Sequence, residues 1–92
     1  MKSAWVYIMG SSTGTLYIGV TSNLDGRVFE HRNGIRSGFA SKYRCHRLIY
    51  FEEYQYITSA IAREKTLKGW RREKKLELVR SVNPEFRDLA ES

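Results

Sequence analysis

Glu64 is the residue of this chain with the sharpest chemical demand. Ile57, Ala60, Ile61, Glu64 and Leu67 follow the i, i+3, i+4, i+7 spacing of a buried helical stripe, and the carboxylate occupies one of those inward positions. Burying an unpaired charge costs several kcal/mol, so Glu64 must meet a basic side chain, a cation, or water at the edge of the core. Arg63 and Lys65 point to other sides of the helix. Two readings are left: a metal-binding or catalytic carboxylate, and an ordinary salt bridge at the core edge. The other groups of interest are two phenols, Tyr7 and Tyr17, and an arginine and a histidine four residues apart, Arg27 and His31. Each has a plain alternative role. Cross-strand aromatic pairs stabilise sheets by roughly 0.2–1 kcal/mol, and an Arg/His pair at helical spacing is commonly a solvated surface pair.

Strand, turn and helix signals place these groups. In Trp5-Val6-Tyr7-Ile8 and Leu16-Tyr17-Ile18-Gly19, alternation predicts that Val6, Ile8, Leu16, Ile18 and Val20 line one face of a sheet and the two tyrosines the other. The turn-rich segment Gly10-Ser11-Ser12-Thr13-Gly14 between them predicts a hairpin with the phenols on adjacent strands. Thr21-Ser22-Asn23 offers caps for a helix from Leu24 to Asn33, ended by Gly34, with Leu24 and Val28 facing the core and Arg27 and His31 on a different face. Gly26 in its first turn costs about 1 kcal/mol relative to alanine. A third strand is expected at Arg47 to Tyr54, where Leu48, Tyr50 and Glu52 alternate with Ile49, Phe51 and Glu53. Beyond Trp70 a further helix runs through Leu76, Leu78 and Val79 until Asn83-Pro84 breaks it, and Gly69 marks the joint between the two late helices. Asn33 to Arg44 reads as an irregular basic loop. In it Lys42 is placed to contact phosphate, and Tyr43 either to stack on a base or to cover a core edge.

Taken in order, Val6-Tyr7-Ile8, Tyr17-Ile18-Gly19, Arg27, His31, Glu64 and Asn83 resemble the GIY-YIG nuclease domain over nearly the whole chain. Leu16-Tyr17-Ile18-Gly19-Val20-Thr21, Gly38-Phe39, Arg63-Glu64-Lys65 and Asn83-Pro84 are similar to the small single-domain bacterial (YhbQ-like) branch of that superfamily. Trp5 stands where the first motif has its naming glycine, Val20 and Thr21 follow the second motif where excision-repair members have a lysine, and Phe86 replaces a tryptophan. The resemblance implies an α+β fold in which a small three-stranded, mainly antiparallel sheet is flanked by three to four helices. It also implies a metal-dependent endonuclease with one divalent cation, Mg2+ or Mn2+, held by Glu64. Tyr7 and Tyr17 resemble the motif tyrosines and Arg27 the phosphate-contacting arginine. His31 lies where members carry histidine or tyrosine, and Asn83 resembles the asparagine near the domain end.

Phosphodiester hydrolysis explains why such residue types are wanted. Charge builds on the nonbridging and leaving oxygens, where Arg27 offers a rigid, permanently charged fork and a cation on Glu64 adds to it. One carboxylate suffices for a magnesium ion that keeps most of its waters. The attacking water needs a base, and a phenol of reference pKa about 10 serves only if a cation lowers it or His31 accepts its proton. Tyr7 is read as lying beside that water with His31 behind it and Tyr17 positioning phosphate, the two tyrosines being exchangeable in these roles.

Composition fits a polyanion binder: Lys+Arg 16 against Asp+Glu 10 gives a net +6 over 92 residues. The dense run Lys65, Lys68, Arg71, Arg72, Lys74, Lys75 follows directly on Glu64. It is read either as phosphate contact or as the solvated face of a helical pair, partly offset by Glu73 and Glu77. With Lys42, Tyr43 and Asn83, the residues Lys65, Lys68, Arg71 and Arg72 complete the expected nucleic-acid-binding set. The length suits one domain, residues 1–86, with a short tail at 87–92. The single cysteine, Cys45 beside His46, forms neither an internal disulfide nor a zinc site and fits a reducing cytoplasm, and no apolar run approaches a membrane span or signal peptide. Three functions stay open. They are an endonuclease on DNA at branched or damaged structures, a non-catalytic nucleic-acid-binding module, and an interaction subunit whose basic surface meets an acidic protein. In the first, specificity has to come from shape, a homodimer or a partner protein.

Overall fold

The computed structural model describes residues 3–35, 38 and 42–90; Ser37, Phe39 and Ser41 of the expected basic loop lie outside the described residues. Strands β1 (Ala4–Gly10), β2 (Leu16–Thr21) and β3 (Arg47–Tyr54) form one antiparallel sheet in the order β2-β1-β3. Helix α1 (Leu24–Arg32) lies on one face of the sheet, and α2 (Ile57–Lys68) and α3 (Arg72–Val82) on the other. Both hairpin faces follow the alternation. Val6, Ile8 and Ile18 join Ile49, Tyr50, Ala60, Leu67 and Val79 in one core, whereas Tyr7 and Met9 join Val28, Cys45 and Leu48 in the second. The central strand is therefore covered on both sides, and Val6, Tyr7, Ile8 and Met9 are fully buried.

Three expectations need correction. Along β3, Ile8 pairs with Tyr50 while Met9 pairs with Leu48, so Ile49 is an extra residue in a bulge. Strict alternation breaks there: Leu48 enters the α1 core, and both Ile49 and Tyr50 enter the other. On α1, His31 does not share an outer face with Arg27. It lies seven residues from Leu24 and three from Val28, which puts it on the inward stripe at 3% exposure. On α2, Ile57 and Ile61 are substantially exposed, at 43% and 37%, while Ala60 and Leu67 are fully buried. The stripe is rotated because the small Ala60 makes the close contact with the sheet, which leaves the isoleucines on its flank.

Local signals explain the boundaries around the site. Asn23 caps α1 by accepting from the Gly26 amide at 3.2 Å, and Thr21 Oγ1 accepts from the Asn23 amide at 3.0 Å. A β-carbon on Gly26 would collide with that capping side chain, so the glycine's helix penalty accompanies a cap that needs the space. At the other end, Asn83 closes α3 and is buried. Its Nδ2 donates to the carbonyls of Ile49 and Arg87, both at 2.9 Å, and its Oδ1 accepts from the Arg87 amide at 3.0 Å. The chain then returns to β3, where the Leu89 amide donates to the Leu48 carbonyl at 2.7 Å and Asp88 accepts from the Leu48 amide at 3.2 Å.

Candidate active site

On the α1 face of the hairpin, three rings meet. The ring centroids of Tyr7 and Tyr17 are 6.2 Å apart, those of Tyr7 and His31 5.7 Å, and those of Tyr17 and His31 5.3 Å. The Tyr7 hydroxyl and His31 Nε2 are hydrogen-bonded at 3.1 Å in a buried setting, with the imidazole tautomer deciding which donates. Tyr7 does not face Tyr17 directly; its partner across the ladder is Gly19, and Tyr17 faces Met9. A β-carbon at Gly19 would come within 2.5 Å of the Tyr7 hydroxyl oxygen and 2.6 Å of Cζ. The bare backbone at 19 is what lets the phenol lie across β2 and reach the imidazole. The hairpin register, set by the loop between Gly10 and Leu16, carried this information in the sequence.

Arg27 is part-exposed, and its Nε pairs with Glu30 at 3.2 Å along its own helix. Glu64 lies on α2, across the sheet from the ring cluster, with its side chain 16% exposed. It has a local partner after all: Lys68, one turn on, places Nζ 3.2 Å from Oε2. Helical spacing puts Lys68, rather than the adjacent Arg63 or Lys65, alongside the carboxylate. At the outer edge of β2 the two sides of the sheet meet. A hollow of 270 Å³ there is lined by Leu16, Tyr17, Ile18, Lys68 and Lys75. Tyr17 thus belongs both to the ring cluster and to the hollow bounded by the cation that holds Glu64.

The expected nucleic-acid residues divide. Lys65 and Arg71 are exposed, as are Lys42 and Tyr43, where Lys42 Nζ lies 5.5 Å from the Tyr43 ring. Arg72 reaches the hairpin turn and donates to the Gly14 carbonyl at 2.5 Å. Asn83 is buried, and its side-chain amide is engaged by Ile49 and Arg87 within the fold.

A second polar cluster went unread in the sequence because its members are distant along the chain. Arg63 grips Glu52 with Nε on Oε1 and a terminal nitrogen on Oε2, each at 3.0 Å. The hydroxyls of Tyr50 and Tyr54 both donate to the same carboxylate. Burial alone would raise the Glu52 pKa, but the hydrogen bonds from Arg63 and the two tyrosines hold it below the ordinary carboxylate range. Burial and the Glu52 contact push the Tyr50 phenol upward, so it remains a donor. Cys45 is buried with its thiol pKa raised by desolvation, and its Sγ donates to the Thr15 carbonyl at 3.7 Å.

Among the described residues no three His, Cys, Asp or Glu side chains converge as a metal cage. The donor set at Glu64 is a single carboxylate already neutralised by one cation on an exposed, flexible stem. That fits a hard divalent ion completed by water and substrate oxygens rather than zinc.

Residues 3–77 match the family described as the GIY-YIG catalytic domain. Two UPF0213 proteins of Staphylococcus aureus, strains Mu3 and Mu50, are each 35% identical over 80 residues, spanning 87% of this chain and 98% of theirs. The solution NMR structure of a UPF0213 protein from Bacillus halodurans superposes with a TM-score of 0.59 at 24% identity, covering 98% of this chain and 99% of that one, which shows a shared fold. No helix among the described residues is long and apolar enough to cross a membrane.

Proposed function

Because the chain belongs to the GIY-YIG catalytic domain family, a family of nucleases, we propose that it is a metal-dependent endonuclease that hydrolyses phosphodiester bonds in DNA, with branched or damaged structures as its targets. The observation that carries this reading is the buried hydrogen bond between Tyr7 and His31 against the ring of Tyr17. With Nε2 unprotonated, the Tyr7 hydroxyl donates to it. Tyr7 is fully buried in the free protein, so substrate binding has to admit water to its hydroxyl; the phenol then takes a proton from that water while the imidazole takes the phenolic proton, so neither transfer builds up a full phenolate. Tyr17 orients a phosphate at the edge of β2. Arg27, held on Glu30 at 3.2 Å in an exchangeable surface pair, swings its guanidinium to the nonbridging oxygens. Glu64 would hold the divalent cation, Mg2+ or Mn2+, which when bound supplies positive charge for the leaving oxygen. Lys68, released from Glu64, turns to the substrate phosphate.

The test is cleavage of labelled duplex, single-stranded, flap and branched DNA, with RNA alongside, in magnesium, manganese or chelator, comparing the wild type with Glu64→Ala. Cutting that needs the metal and disappears in the variant, while binding persists, is the expected result. Binding by both proteins with no cutting by either would leave a nucleic-acid-binding module instead.

A further inference from the structure

The basic run of the sequence is not one surface. Arg63 is taken up by Glu52 and lies 5.2 Å from the Trp70 ring centroid, and Lys74 Nζ lies 4.2 Å from the same centroid. Lys68, Arg72 and Lys75 instead face the outer edge of β2. Two hollows adjoin there. The 270 Å³ hollow beside Tyr17 has Lys68 and Lys75 in its wall, and a 510 Å³ hollow beside Thr13, Gly14 and Thr15 has Arg72 and Lys75. Leu16 and Lys75 line both, so the hollows form one trough. Among the described residues no acidic side chain lines either of them. β2 is an edge strand, paired only with β1 among the described strands, so nothing in the sheet covers this side. At one end the trough is closed by Arg72 on the Gly14 carbonyl; at the other it opens at Lys68, whose ammonium lies on Glu64.

We propose that this trough carries one nucleic-acid strand. Its phosphates are held successively by Lys75 and Lys68, and the strand runs along β2 from the hairpin turn toward Tyr17 and Glu64. The assignment rests on the nuclease reading above for its direction, since it names where that site receives its substrate. It adds Lys75 to the expected binding set and leaves Lys74, the member of the basic run that lies over Trp70, off the contact surface. Contacts of this type are read by phosphate charge and not by base identity, so they extend affinity without sequence preference.

The test measures binding of a labelled single-stranded DNA oligonucleotide in chelator, where no cutting interferes, as a function of salt. Lys68→Gln/Lys75→Gln is compared with Lys74→Gln/Arg80→Gln, which removes the same charge from elsewhere on the helical pair; circular dichroism checks that both fold. Loss of two phosphate contacts flattens the slope of log Kobs against log salt by roughly 1.4, from about 0.7 per contact on a single strand, and weakens binding at least tenfold at low salt. The control pair should change the slope by less than half as much. Equal slopes for the two pairs, a trough variant with the wild-type slope, or a wild type that does not bind would each overturn the assignment. Its failure is separable from that of the nuclease reading: cleavage that depends on Glu64 survives a wrong path, and a correct path survives the absence of cleavage.

Discussion

The phenol of Tyr7 lies across the bare backbone of Gly19, its ladder partner, at a distance that no β-carbon would permit. A motif glycine and a motif tyrosine are therefore one device: the first exists to give the second its place. Gly19→Ala should displace the ring from His31, lower stability by about 1–3 kcal/mol through overpacking, and reduce single-turnover cleavage at least tenfold. Denaturant melts and quenched-flow cleavage read the two effects separately, and a variant with wild-type rates would break the link between the glycine and the chemistry.

His31 sits behind Tyr7, so its removal should act on rate more than on affinity. His31→Ala is expected to slow cleavage by about 100-fold, the lower range for loss of a proton acceptor, while nucleic-acid affinity stays within about twofold. Loss of the buried hydrogen bond and of the ring packed between Tyr7 and Tyr17 should also cost about 1–3 kcal/mol of stability. A parallel fall in affinity would instead mark the histidine as a binding residue.

The Glu52–Arg63 grip makes a pH prediction. The folded-state pKa of Glu52 lies below its ordinary value of 4.5, so the group contributes stability that is fully present above that value and is lost as pH falls through the lower, folded pKa. Glu52→Gln should destabilise the protein by about 2 kcal/mol near neutrality and flatten the loss of stability below pH 4.5, with the two proteins converging in acid. Urea titrations between neutral and strongly acidic pH follow this directly, and a constant gap across that range would contradict it.

Asn83 offers a direct contrast between a residue that binds substrate and one that holds the fold. Asn83→Ala orphans the Ile49 carbonyl and the Arg87 amide, and about 2–4 kcal/mol of stability should go with them. Nucleic-acid affinity under native conditions should be unchanged. Loss of affinity in a fully folded variant would return Asn83 to the interface.

Much of this was legible in short stretches of sequence. The bounds of β3 at Arg47–Tyr54 and the opposite facing of Val6/Ile8 and Tyr7 rest on local alternation, which needs no tertiary knowledge. His31 was misplaced because its inward position follows from its distance to Leu24 and Val28 taken together, not from its spacing to Arg27. The Glu64–Lys68 pair was present as a simple helical spacing, whereas the Glu52–Arg63 grip joins residues eleven apart on different elements. The trough could not be read at all. It depends on how α2 and α3 are angled at Gly69–Arg71, and no residue there declares that angle.

The extra residue at Ile49 gives β3 two halves of opposite parity. Counted in single residues, the strand behaves like a gear with one inserted tooth: everything after it is phased by that tooth. Deleting Ile49 would remove the bulge yet leave Leu48 opposite Met9 and Tyr50 opposite Ile8, with Glu52 still on the side of Arg63, whereas deleting Phe51, beyond the bulge, would turn Glu52 to the α1 side. A one-residue deletion in an exposed connection between elements would shift no facing. A one-residue length change is thus absorbed before this strand or at its bulge and ruinous beyond it, and alignments of related chains should show a fixed spacing from Tyr50 to Glu52.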